Sequence, residues 1–119
     1  MRLMAASAEW RCSRSAVPAG TTATFRLTCG RRVVNGFVVH HATGYAAYVN
    51  RCPHVGTPLD LWPNQFLGED GREVVCSTHG ATFQPATGLC TGGPCAGDRL
   101  TPLPARLEGE TLVVSCAGT

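Results

Sequence analysis

Apolar positions in this chain fall in short runs rich in β-branched and aromatic residues, and Gly, Pro, Asn or Asp interrupts them every few residues. Such runs predict strands over 23–28, 33–40 and 45–50, with His41-Ala42-Thr43-Gly44 turning the last two into a hairpin. Residues 65–67 and 73–76 read as a second hairpin across Gly68-Glu69-Asp70-Gly71. Thr82-Phe83 reads as a short strand followed by a turn at Ala86-Thr87-Gly88. Residues 103–107 and 111–115, around Glu108-Gly109-Glu110, form a last hairpin expected to close the sheet of the first strands. Helical periodicity is weak, and there is no internal repeat or low-complexity linker. With 14 Gly and 8 Pro in 119 residues, the expected class is all-β.

A chain of this length is expected to form one domain, 1–119, with a modest core that buries about two thirds of the unfolded surface. The net charge is +2 and every basic residue is Arg. The only adjacent basic pair is Arg31-Arg32, with no basic stripe and no stacking aromatics, so nucleic-acid binding is not expected. The apolar run near Met1 is cut short by Ser7, Glu9 and Arg11 before it reaches the length of a signal peptide, and no stretch is long enough to cross a membrane. Arg31-Arg32 lies too far into the chain, ahead of a strand the domain needs, to be an export signal. A cytoplasmic protein is expected.

The candidate chemistry is concentrated in two half-sites, Cys52-Pro53-His54 and Cys76-Ser77-Thr78-His79. Each offers one thiolate and one imidazole, the side chains that bind transition metals as soft and borderline ligands. Structural zinc usually takes two Cys from one knuckle, whereas both half-sites here mix Cys with His. A two-iron centre suits that distribution better. In a Rieske [2Fe–2S] site two Cys hold one iron and two His the other, so each loop delivers one ligand of each kind. A structural zinc module remains the alternative metal reading.

The residues around the half-sites extend the pattern: Cys52-Pro-His-Val-Gly-Thr-Pro-Leu59, Cys76-Ser-Thr-His-Gly-Ala-Thr-Phe83, Thr87-Gly88 and Gly92-Gly93-Pro94. They resemble the Rieske iron–sulfur domain, particularly its small ferredoxin-like members, over about residues 45–103. The resemblance implies stacked antiparallel sheets with a small cluster-binding subdomain, whose loops lie within 50–96. It makes Cys52 and Cys76 the ligands of the inner iron, and His54 and His79 those of the outer iron. Gly92-Gly93-Pro94 resembles the third loop that covers the cluster. The gap of 21 residues between His54 and Cys76 is slightly longer than usual for the family and falls on the hairpin between the loops. Respiratory Rieske proteins also carry a loop-to-loop disulfide, but its two positions are Thr57 and Thr78 here.

Seven cysteines leave five beyond the two proposed ligands. In a reducing compartment these are expected to be thiols, with Cys12, Cys29 and Cys116 serving as small buried hydrophobes in or beside strands. Cys90 and Cys95 flank the proposed cover loop, and whether they pair stays open. His40 and His41 are adjacent on a strand, so their side chains point to opposite faces and cannot chelate alone; both are expected to be solvated turn residues. Trp62, Phe66 and Phe83 are expected to be packing residues.

A centre with no open coordination position passes electrons and does no bond chemistry. An oxygenase would need a second iron site, and no histidine follows the Rieske pattern. No Gly-rich dinucleotide motif follows a strand, so electrons must come from elsewhere. The resemblance therefore implies a Rieske-type ferredoxin, an electron-transfer protein carrying single electrons from a flavin-dependent reductase to a terminal oxygenase or other redox acceptor. The alternative is an electron-transfer or redox-sensing subunit of a larger oxidoreductase.

Overall fold

The computed structural model describes residues 9–51, 67, 73–76, 81–93 and 98–116. Ten strands account for most of them, and the single helical element among the described residues is a 3-10 turn at Arg14–Ala16. The strands are β1 (Glu9–Ser13), β2 (Thr22–Cys29), β3 (Arg32–His41), β4 (Gly44–Val49), β5 (Val74–Val75), β6 (Thr82–Phe83), β7 (Cys90–Gly92), β8 (Pro102–Leu103), β9 (Ala105–Glu108) and β10 (Thr111–Ser115). They form three antiparallel sheets, ordered β1-β10-β9, β2-β3-β4-β8 and β5-β6-β7. The all-β class is thus what the sequence pattern predicts.

The period of two along a strand explains how these sheets stack. In β3, Gly36 to Val39 are all buried, so this strand is covered on both faces. Phe37 and Val39 pack with Tyr48, Val74, Cys76, Ala81, Phe83, Cys90 and Leu100. Val38, between them, packs instead with Phe25, Leu27, Ala47, Leu103, Leu112 and Val114. Neighbouring residues of β4 divide in the same way, Ala47 to one core and Tyr48 to the other. The four-stranded sheet is therefore the middle layer, with the terminal sheet on one side and the small β5-β6-β7 sheet on the other. A shift of register by one residue would exchange the two cores. At the crossing of β2 and β3, Gly36 faces Phe25, and a Cβ on it would lie 2.6 Å from the Phe25 ring and 2.9 Å from the Tyr48 carbonyl oxygen. The absent side chain lets Phe25 lie across β3 and stack on Trp10 of β1, with centroids 5.1 Å apart.

Four features depart from the sequence expectations. β1 was not anticipated; it adds to the terminal sheet through pairs such as Trp10 with Val114. Residues 103–107 are not one strand, because Pro104 divides them. Proline has no N–H for a ladder, and here its carbonyl accepts from Ser115 N at 3.0 Å. β8 before it pairs with β4 and β9 after it pairs with β10, so the last hairpin belongs to a separate sheet from β2, β3 and β4. His40 is half-buried: its Nδ1 lies 2.9 Å from the Val17 carbonyl oxygen, and its ring stacks on Tyr45 at 4.1 Å. His41, also half-buried, accepts at Nδ1 from Thr43 N–H at 3.2 Å, and burial followed by the neighbouring His40 pushes its pKa below the ordinary value.

The fourth correction is covalent. Cys29 and Cys116 are joined in a disulfide across 87 residues rather than standing as separate thiols. The end of β2 and the residue after β10 come together only when the middle and terminal sheets pack. The bond closes a long loop of the unfolded chain and should stabilise the fold by about 2 to 4 kcal/mol. The Cys29→Ala, Cys116→Ala double variant is expected to unfold at correspondingly lower denaturant concentration. An unchanged midpoint would show that packing alone holds the two sheets.

On the outer face of the terminal sheet, Arg11 and Arg106 alternate with Glu9 and Glu108 at N–O separations of 2.7 to 3.1 Å. Hydrogen bonds from Arg106 and then Arg11 hold both carboxyls below the ordinary carboxylate pKa. Lowered carboxyl pKa values stabilise the fold above the ordinary carboxylate pKa, and this is lost as pH falls through the lowered values. The effect is small, because all four groups are solvated and screened.

Candidate metal centre

Two framework positions prepare the ground for the half-sites. At the end of β4, Val49 N–H donates to the Thr101 carbonyl at 2.9 Å and Asn50 N–H donates to the Asn35 carbonyl at 2.8 Å. The chain is thereby held against β3 up to Arg51, and the next residue is Cys52. Cys52 and His54 lie outside the described residues.

The second half-site grows from the β5-β6 hairpin. Val75 pairs with Thr82, and Cys76 N–H donates to the Ala81 carbonyl at 2.8 Å, which brings the two ends of the 77–80 segment together. His79, within that segment, also lies outside the described residues. Leu67 bridges antiparallel to Val74, as expected of the hairpin between the half-sites. Cys76 itself is fully buried, in the apolar cluster of Phe37, Val74, Ala81 and Phe83.

The third segment differs in part from its sequence reading. Cys90 to Gly92 form β7, paired to β6, so Gly92, the first residue of the expected cover loop Gly92-Gly93-Pro94, still belongs to a strand. Cys90 is a buried thiol whose Sγ–H donates to the Gly92 carbonyl, 3.2 Å away; Cys95 lies outside the described residues. Beyond β7, Gly93 adopts φ +89°, and a Cβ there would lie 2.8 Å from Ala81 Cα. Only glycine takes that conformation without strain and lets the backbone approach so closely. The third segment therefore lies directly on the joined ends of the 77–80 segment. Outside it, Thr91 Oγ1 donates to Glu73 Oε2 at 2.9 Å and sits 2.9 Å from Thr82 Oγ1, linking all three short strands.

The middle sheet anchors this small sheet from below. Tyr48 O–H donates to the Pro85 carbonyl at 2.6 Å, and burial pushes its pKa up to about 12, so it remains a neutral donor. Leu100 N–H donates to the Gly88 carbonyl and Cys90 N–H to that of Asp98, so the returning chain braces β7. Phe83 is fully buried, as a packing residue should be.

The test of whether these residues suit a metal cluster rests on Cys76. Its sulfur stands beside the joined ends of the 77–80 segment, in apolar surroundings that suit a charge-neutralising metal better than an exposed reactive thiolate. Gly93 shows that a second backbone segment is seated over the same ends. Both features fit a cluster held between loops.

The described residues form a stack of antiparallel sheets with the buried Cys76 at the edge of the smallest one. The chain belongs to the Rieske [2Fe-2S] domain family, whose model matches residues 9–114, and its cofactor is accordingly a Rieske-type [2Fe–2S] cluster. Among solved structures it is similar to the ferredoxin of carbazole 1,9a-dioxygenase from Nocardioides aromaticivorans IC177. That match has 21% identity and a TM-score of 0.68, and covers 92% of this chain and 99% of that one. A chain from a complex of reduced oxygenase and oxidized ferredoxin in carbazole 1,9a-dioxygenase is 20% identical with a TM-score of 0.70, covering 92% of this chain and 94% of that one. The terminal oxygenase of carbazole 1,9a-dioxygenase from Novosphingobium sp. KA1 is 14% identical with a TM-score of 0.70; the match covers 95% of this chain but 31% of that one. A curated relative, Oxidoreductase NdmD of Pseudomonas putida, is 41% identical over 62 residues, which are 52% of this chain. The aligned stretch spans about a tenth of that protein's length, 10%. No helix among the described residues is long and apolar enough to cross a membrane.

Proposed function

We propose that this protein is a Rieske-type ferredoxin that carries single electrons from a flavin-dependent reductase to a terminal oxygenase or another redox acceptor. The observation that carries this reading is the buried Cys76 beside the joined ends of the 77–80 segment, under Gly93, in a chain of this family. In this assignment Cys52 and Cys76 hold the inner iron, and His54 and His79 the outer. When bound, such a cluster supplies a one-electron couple centred on the histidine-held iron. The chain's own part is to fix the ligands, exclude water from the cysteine side through Phe37, Phe83 and Leu100, and leave the imidazole side toward a partner.

Purified protein is expected to be red-brown, with two irons and two acid-labile sulfides per chain, and to give a rhombic paramagnetic signal only when reduced. Colourless protein with a single zinc would replace this reading by the structural zinc module. A second functional reading, a subunit or domain of a larger oxidoreductase, draws support from the resemblance to part of a terminal oxygenase chain. Migration of the native protein in a stable larger complex, rather than alone, would favour it.

A further inference from the structure

We propose that the groove at the tip of the β2-β3 hairpin is the docking surface for a redox partner with an acidic face. This deepens the carrier reading and rests on it. The groove encloses about 590 Å³ and is lined by Arg32, Val33, Asn35, Val49, Arg51 and Leu103, among others. Among the described residues, no carboxylate and no aromatic side chain lines it.

The basic residues here differ from those on and beside the terminal sheet. Arg11, Arg14 and Arg106 are each within ion-pair distance of a glutamate. Arg31, Arg32 and Arg51 are exposed, and none is ion-paired with a described carboxylate. Between them stands Val33, 59% exposed and more so than the other exposed large hydrophobic residues, Leu89 and Leu107. An exposed apolar residue with two arginines in the same lining suits a protein partner that presents carboxylates.

Chain continuity ties the groove to the first half-site, although its apolar lining of Val34, Val49 and Leu103 belongs to the core shared with the terminal sheet. The bond from Asn50 N–H to the Asn35 carbonyl runs the chain after β4 back along β3 toward Val33 and Arg32. Arg51 thus lines the groove and directly precedes Cys52. A partner drawn to these charges is seated beside the first half-site. Complementary charge of this kind acts mainly on the association rate and makes it fall with salt.

The test uses the reduced holoprotein in stopped flow against two stand-in acceptors, acidic ferric cytochrome b5 and basic ferric cytochrome c. Transfer to cytochrome b5 is expected to slow about tenfold between low and high ionic strength. At low salt, Arg32→Glu with Arg51→Glu is expected to slow it about tenfold, while transfer to cytochrome c does not slow. The double Lys variant at the same positions should keep the wild-type rate. So should Arg14→Glu with Arg106→Glu, which changes net charge equally, away from the groove. Unaltered cluster absorption in each variant establishes that the site is intact. A salt-independent cytochrome b5 rate, a groove variant within twofold of wild type, or equal slowing by the control pair would overturn the surface while leaving the carrier reading in place. A wild-type protein that takes up an electron but passes it to neither cytochrome would overturn both.

Discussion

Single replacement of a proposed ligand is expected to abolish the cluster and loosen the small β5-β6-β7 sheet. In the proposed assignment, Cys52→Ser, Cys76→Ser, His54→Ala and His79→Ala would each remove one of four protein bonds to the cluster. Metal binding supplies folding free energy to small domains, so part of the fold should go with it. At Cys76 the loss is compounded, since a serine hydroxyl would be left buried among Phe37, Val74 and Phe83. Iron and sulfide content per chain, with the visible spectrum, measures the outcome. Cys12→Ser, at a half-buried position beside the other core, should retain a full cluster. A fully loaded His79→Ala protein would show that the outer iron is held by other residues.

The second large effect concerns reduction potential, which hydrogen bonds to sulfur, charge and exposure tune. Donors to the sulfurs stabilise the more negative reduced cluster and raise its potential. In high-potential Rieske proteins two such donors are a Ser two residues after the second histidine ligand and a Tyr four residues after it. Those positions are Ala81 and Phe83 here, both fully buried in the apolar cluster that holds Cys76. A hydrogen bond to a charged group contributes about 1.5 to 3 kcal/mol, and a one-electron couple moves about 59 mV per tenfold in equilibrium constant. Each missing donor therefore lowers the potential by at most on the order of 65 to 130 mV. The expected value is about −150 mV, at the low end of the Rieske range, where a flavin reductase rather than a quinol is the suitable donor. Protein-film voltammetry of the wild type and of the Ala81→Ser, Phe83→Tyr variant measures it. A wild-type value well above zero, or no upward shift in a variant with an intact cluster, would assign control to exposure or to another donor.

The amino-acid sequence by itself determined the elements whose signal is local. Two Cys-His half-sites and their Gly and Pro neighbours point to the cluster because ligand spacing within a loop is a property of a few consecutive residues. The strands around 23–28, 33–40 and 45–50 were legible for the same reason, since apolar runs bounded by turn residues need no distant partner to be recognised. Only the tertiary structure decided which distant segments meet. Cys29 and Cys116 pair because β2 and β10 end side by side, and no local pattern encodes that proximity across a sequence separation of 87. β1 is too short and polar to announce itself, and it becomes a strand because β10 offers it a ladder and Phe25 offers Trp10 a stacking face. Residues 103–107 read as one strand, yet Pro104 is where the chain passes from the middle sheet to the terminal one. The double burial of β3, with Phe37 toward the cluster side and Val38 toward the terminal sheet, likewise depends on layers that the strand cannot specify alone. Register and layer stacking are collective, so they emerge only when all three sheets are in place.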